Sequence, residues 1–196
     1  MALRAEKKAA TRTAIADAAL ALFLAKGFDR VTVAEVADAA RVSVNTAFNY
    51  FPTKEDLFFD RQDEVVRRLA DAVRDRRPGE SPVAAVRRLF LDELDRGEPT
   101  LGLSPDVGAF WQVVEDSAAL QARARLLSQR AEEALAEALG GARWRAAVLA
   151  GVDRALHAQI RDRMRAGDDP AAVRAAVRAE AETAYAALAR ALDQAE

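Results

Sequence analysis

Residues 42–55 collect side chains suited to polar recognition: Ser43, Val44, Asn45, Thr46, Asn49 and Tyr50, followed by Lys54. Amides and hydroxyls of this kind hydrogen-bond base edges and phosphate oxygens, and an ammonium group pairs with phosphate charge. Ser43 is a suitable N-cap, because its hydroxyl can accept from the backbone N–H of Asn45 or Thr46. Val42 before it and Ala47 after it are placed for a hydrophobic staple. Pro52 disfavours helical geometry in the residue before it, so the helix must end near Phe51. Two helical turns cannot stand alone in water; other elements have to hold them. The outer side would offer Asn45, Thr46, Asn49 and Tyr50, which reads as the second helix of a helix-turn-helix. The plainer reading is a short connecting helix with a polar surface.

The preceding residues supply the support. Lys7 to Lys26 reads as a first helix, with Ile15, Ala19, Leu22 and Phe23 on one face and Gly27 placed to end it. Thr32-Val33-Ala34-Glu35 is a capping box opening a second helix to about Ala40, with Val33, Val36 and Ala37 inward. The turn Ala40-Arg41-Val42 then leads to Ser43, completing a helix-turn-helix pattern. Phe23, Phe28, Val36, Val42 and Phe51 would be its small core. Thr53 caps a fourth helix, expected to run unbroken to about Arg76 and to join the two parts of the chain. Beyond it the pattern predicts helices over about 82–96, over 105–116 after the Ser104-Pro105 signal, and over 118–139, 143–165 and 170–192. Trp144, Val148, Val152, Leu156, Ile160 and Met164 are expected along one stripe of the next-to-last helix. The expected fold is all-α, with about nine helices: residues 1–53 as a helix-turn-helix domain and 54–196 as a second helical domain.

Composition removes other classes. The chain has 196 residues, 51% hydrophobic and 31% charged, with no cysteine and one histidine. Disulfides, thiolate metal sites and a two-histidine zinc site are thereby excluded, and no metal or cofactor is expected. No apolar run reaches 18 residues, so no membrane span is expected. Glu6, Thr11 and Thr13 interrupt any signal-peptide core, which places the protein in the cytoplasm. Net charge is −2, unevenly spread: residues 1–54 hold eight Lys/Arg against five Asp/Glu. A basic end on an acidic body suits phosphate contact at that end. No Gly-rich phosphate loop and no nucleophile–base pair supports an enzyme.

The order Ile15, Ala18-Ala19, Leu22-Phe23, Gly27-Phe28, Thr32, Val36-Ala37, Val42-Ser43, Thr46, Phe48, Tyr50-Phe51-Pro52 and Lys54-Glu55-Asp56-Leu57 resembles the N-terminal DNA-binding domain of TetR-family transcriptional regulators. The resemblance covers about the first 60 residues; the remainder carries no family signature. It implies a homodimer whose third helices enter the major grooves of a near-palindromic operator in double-stranded DNA. It also implies a C-terminal domain that dimerises through its last two helices and takes an unknown small-molecule ligand, which releases the DNA; the protein would be a repressor. On this reading Val44, Asn45, Thr46 and Asn49 meet bases, Tyr50 and Lys54 meet phosphate, Ser43 caps the reading helix at the DNA surface, and Thr32 is first a cap and then a phosphate contact. Two positions depart from the family. Arg41 stands where Gly is common; a non-Gly residue in left-handed geometry costs roughly 1–2 kcal/mol, so either the turn is re-formed or Arg41 reaches a phosphate. Phe48 stands where Tyr is usual, lacks the phosphate-touching hydroxyl, and is assigned to packing.

For the second domain, Phe59, Phe90, Phe110, Trp111, His157 and Met164 are candidate pocket residues, the alternative being ordinary core. His157 is either a ligand anchor or a residue near the dimer seam, and a charged neighbour such as Arg154 could pair with an acidic ligand. A DNA-binding regulator controlled by a protein partner, or by none, is the competing function.

Overall fold

A computed structural model describes residues 2–104 and 107–192. Among them are ten α-helices and no strand: α1 (Ala2–Lys26), α2 (Val33–Ala39), α3 (Val44–Tyr50), α4 (Lys54–Phe58), α5 (Gln62–Arg74), α6 (Pro82–Arg96), α7 (Val107–Glu115), α8 (Ala118–Ala138), α9 (Arg143–Arg165) and α10 (Pro170–Leu192). The Ser104-Pro105 signal for α7 extends outside the described residues. No helix among the described residues is long and apolar enough to cross a membrane.

The chain divides into two compact units, one of residues 1–62 with 109–125 and one of residues 63–108 with 126–196. The core of the first is built on Ile15, Phe23, Phe28, Val36, Ala47, Phe51, Leu57 and Phe58, with Val113, Val114 and Leu120 from α7 and α8. The segment after residue 53 therefore contributes to both units, because Leu57 and Phe58 bury with the helix-turn-helix. The core of the second unit takes Leu69 and Val73 from α5, Val86, Phe90 and Leu94 from α6, Leu149, Leu156 and Ile160 from α9, and Val177, Tyr185 and Leu188 from α10.

Two expectations are corrected. The long helix after Thr53 is broken: α4 ends at Phe58, Phe59 leaves helical geometry at φ −99°, ψ 56°, and α5 begins at Gln62. No Gly or Pro is responsible. Phe58 stacks on Phe110 at 4.5 Å, and Phe59 meets both Phe58 and Phe110 edge-on. The freed Asp60 carbonyl accepts from Arg12 Nη2 at 2.6 Å. Side-chain packing and a tertiary hydrogen bond thus replace helical continuity. The supposed stripe on α9 also fails at its start: Trp144 is 57% and Val148 40% exposed. A constant spacing of four residues advances about 40° beyond each full turn, so five steps rotate it by about 200°. Trp144 and Met164 therefore point to opposite sides of α9, and the inward line begins at Ala146, Leu149 and Ala150.

Candidate nucleic-acid interface

The helix-turn-helix is held by local bonds that the sequence dictates. Thr32 caps α2 with a full capping box: its hydroxyl accepts from Glu35 N at 3.2 Å and donates to the Glu35 carboxylate at 3.0 Å. Glu35 also accepts from Thr32 N at 2.8 Å and from Lys26 Nζ at 2.9 Å. The Lys26 bond, then those from Thr32, hold the Glu35 carboxyl down at about 2. Both the proton and a lone pair of the Thr32 hydroxyl are thus engaged within the unit.

The turn after α2 keeps its left-handed residue. Arg41 has φ 56° and is the one non-glycine residue with positive φ among those described. Arg41 N bonds to Asp38 O at 3.1 Å and Val42 N to Ala37 O at 2.9 Å, the paired bonds of a Schellman motif with arginine at the position that usually takes glycine. The turn is therefore not re-formed around Arg41, and its side chain is exposed. Ser43 then caps α3, its hydroxyl accepting from Thr46 N at 3.0 Å and lying 2.8 Å from Thr46 Oγ1.

On α3, Ala47 is fully buried and anchors the helix. At about 100° per residue, the side away from Ala47 sorts into three strips. Val44 and Phe48 make an apolar edge, Asn45 and Asn49 an amide centre, and Thr46 and Tyr50 a hydroxyl edge. The first four residues are exposed and the last two half-buried. Phe51 closes the helix, its N–H bonding to Ala47 O, and its ring carries the Arg12 guanidinium at 4.6 Å. Lys54 leans back on its own unit, with Nζ 4.3 Å from the Phe28 ring centroid. Its helix is closed by its own capping box: Asp56 accepts from Thr53 N at 2.9 Å, and Thr53 Oγ1 accepts from Asp56 N at 3.2 Å. Asp56 also receives Arg123 and Gln62. Burial pushes this carboxyl up, but the bonds from Gln62 and Thr53 and the Arg123 charge outweigh it and hold it below its ordinary value.

Of the residues expected to face DNA, Thr32, Arg41, Ser43, Val44, Asn45 and Asn49 are exposed, Thr46 and Tyr50 are half-buried, and Lys54 is drawn partly inward over the Phe28 ring. The sequence assigns Phe48 to packing; the side chain is instead 44% exposed and stands outside the core. Its place three positions from Asn45 and four from Val44 was the available signal. Arg12 has no sequence signal, because its partners are a distant carbonyl and ring.

The six pocket candidates fall into two groups. Phe59, Phe110 and Trp111 join the aromatic cluster of the first unit, with Phe110 and Trp111 edge-on at 5.5 Å. Phe90 and Met164 are core residues of the second, where His157 lies edge-on to Phe90 at 5.7 Å and places Nδ1 2.8 Å from Asp153 O. Arg154 is exposed and pairs with Glu132 at 3.2 Å. The buried charge beside His157 is its neighbour on the same helix, Asp153. Arg68 of α5 reaches Glu93 of α6 at 2.6 Å and Asp153 of α9 at 2.9 Å, bidentate to both. Burial pushes Asp153 up, but the Arg68 and His157 charges outweigh it and hold it below its usual range. Tyr185, 1% exposed, has a hydroxyl without a hydrogen-bond partner among the described residues, and burial followed by the Asp153 charge raises its pKa.

Residues 15–60 match the sequence profile of bacterial regulatory proteins, tetR family. The HTH-type transcriptional regulator LuxR of Vibrio harveyi is 44% identical over 57 residues, 29% of this chain and 28% of that protein. The HTH-type transcriptional regulator TcmR of Streptomyces glaucescens is 33% identical over 94 residues, 48% of this chain and 42% of that protein. The matched part spans less than half the length of either relative. The fold is similar to the crystal structure of native NalD, the secondary repressor of the MexAB-OprM multidrug efflux pump in Pseudomonas aeruginosa, at a TM-score of 0.57 and 23% identity, covering 89% of this chain and 96% of that one.

Proposed function

We propose that the chain is a member of the tetR family of bacterial regulatory proteins, whose profile its residues 15–60 match, and that it is a DNA-binding transcriptional regulator: a repressor that holds a near-palindromic operator as a homodimer and is released by a small molecule. Residues 1–53 would be the DNA-reading domain and 54–196 the ligand-binding and dimerising one. The observation that carries the reading is the outward face of α3. Its amides and hydroxyls project from a helix anchored by Ala47 and fixed at its entry by the Arg41 turn and the Ser43 cap. Such a helix fits the major groove, and Asn45 and Asn49 suit the N6 and N7 atoms of adenine.

Dimerisation through α9 and α10 supplies the second head. Trp144 and Val148 of α9 are exposed, as are Ala175, Ala179, Ala186 and Ala187 of α10. Large apolar groups beside small ones allow close helix packing and a self-complementary contact. The reading places the protein in the cytoplasm with the chromosome.

Selection of DNA from a random pool by the full-length protein tests this. The expected product is an inverted repeat with half-site centres about 34–36 Å apart, weakened by Asn45→Ala, Asn49→Ala or Tyr50→Ala. An unenriched pool, or a single unrepeated site, would refute it. A thermal-shift screen tests the ligand separately, since a binder stabilises by mass action; a protein partner is the alternative if none does.

A further inference from the structure

Phe48 is the least expected residue on the outward face of α3. The helix has seven residues, and two of them, Val44 and Phe48, are large, apolar and at least 40% exposed. They are four residues apart and so lie one above the other, about 40° apart around the helix axis. Phe48 is not among the residues of the hydrophobic cluster of its unit, and 44% of its surface is open, so packing leaves its outer part uncovered. Its neighbours around the helix are Asn45 and Asn49, both exposed. An apolar strip and an amide strip therefore run side by side along the face turned away from the core.

A phenyl ring in this place has no hydroxyl to offer a phosphate. What it can offer is an apolar surface. In the major groove each base pair presents donors and acceptors, and the apolar group projecting among them is the C5 methyl of thymine. The amide strip beside it matches the N6 and N7 atoms of adenine. We infer that Phe48, backed by Val44, packs on thymine methyl groups of the operator half-site and is a specificity-determining residue, selecting thymine next to the adenine that Asn45 or Asn49 reads. The inference rests on the proposed DNA-binding function and deepens it.

Exchanging thymine for deoxyuridine removes the methyl and leaves the hydrogen-bonding edge unchanged. Each thymine of the selected operator is replaced in turn, symmetrically in both half-sites, and the affinity of the full-length protein is measured at fixed salt. One or two positions should respond, by roughly four-fold per methyl, the worth of one buried CH2 group, and so about sixteen-fold per symmetric pair. Phe48→Ala should bind the thymine and deoxyuridine operators equally, and Phe48→Leu should retain part of the difference. Phe48 is outside the core, so both variants should keep the wild-type melting temperature. Wild-type protein that tolerates every deoxyuridine would overturn the inference, and so would an undiminished thymine preference in Phe48→Ala. Failure to bind any DNA is a different result: it removes the function itself, and this inference with it.

Discussion

Replacing Arg41 by glycine should make the protein more stable and worse at holding DNA. Arg41 has φ 56° in a turn whose two Schellman bonds are both formed. A side chain in left-handed geometry costs roughly 1–2 kcal/mol. Glycine relieves this but enlarges the freedom of the unfolded chain, at roughly 0.5–1 kcal/mol. The net gain for Arg41→Gly is therefore about 0.75 kcal/mol at the middle of the two ranges, which together span roughly 0–1.5 kcal/mol, readable as a higher denaturation midpoint at unchanged slope. Arg41→Ala provides the control, since alanine keeps the strain and loses only the charge; its stability should match wild type within about 0.5 kcal/mol.

On DNA the two variants should behave alike. If Arg41 neutralises one phosphate per head, each removes two contacts per dimer. The plot of log affinity against log salt should then flatten by about 1.8, at 0.9 per phosphate. Titrations of a fluorescent operator between low and physiological salt measure this. An unchanged slope in both variants would show that Arg41 meets no phosphate. An Arg41→Gly protein less stable than wild type would refute the strain argument. Equal stability of the glycine and alanine variants would refute it too.

The buried ion cluster gives two further predictions. Arg68→Met leaves Glu93 and Asp153 buried without their shared cation and should cost about 3–5 kcal/mol, while Arg68→Met with Glu93→Leu and Asp153→Leu should restore most of it; denaturant titration of both variants decides. Asp153 titrates below its usual value in the folded protein, so on acidification the unfolded chain binds that proton first. Its contribution is therefore fully present above the ordinary carboxylate value, about 4, and is lost as pH falls through the lowered one. In the Arg68→Met, Asp153→Asn double variant the slope of stability against pH below about 4 should be shallower than in wild type, and an equal slope would remove Asp153 from the account. For the assembly, Trp144→Glu should yield monomers in sedimentation at micromolar concentration with the helix content unchanged; a persisting dimer would place the interface away from the start of α9.

How much of this could be read in advance depended on how locally each feature is determined. The caps at Thr32, Ser43 and Thr53 are local, since each hydroxyl meets a backbone N–H three residues on, and all three form as their sequence pattern implies. The inward face of α3 was only partly legible: Ala47, expected as a staple partner, is buried, while Phe48, expected to pack, is exposed. The break at Phe59 was not legible, because it depends on Phe110, 51 residues away, and on a carbonyl bond from Arg12. A pattern confined to residues 53–76 contains neither partner.

The ion cluster is an intermediate case, and its signal was present in the sequence. Glu93 lies three residues after Phe90 and one before Leu94; Asp153 lies four after Leu149 and three before Leu156. Each acid thus occupies a core-facing position in an otherwise apolar line. A carboxylate so placed stays charged only with a buried partner, because without one it is cheaper to protonate it than to desolvate its charge. Two acids on inward faces therefore called for an inward cation on a third helix. Arg68, one residue before the buried Leu69, meets that requirement with two bidentate contacts. The same reasoning runs in reverse at the start of α9. Trp144 shares no inward line with Leu149, and at 57% exposed it leaves a large apolar surface that a partner could cover. The proposed α9–α10 dimer contact would cover it for Trp144, as the proposed thymine methyls would for Phe48.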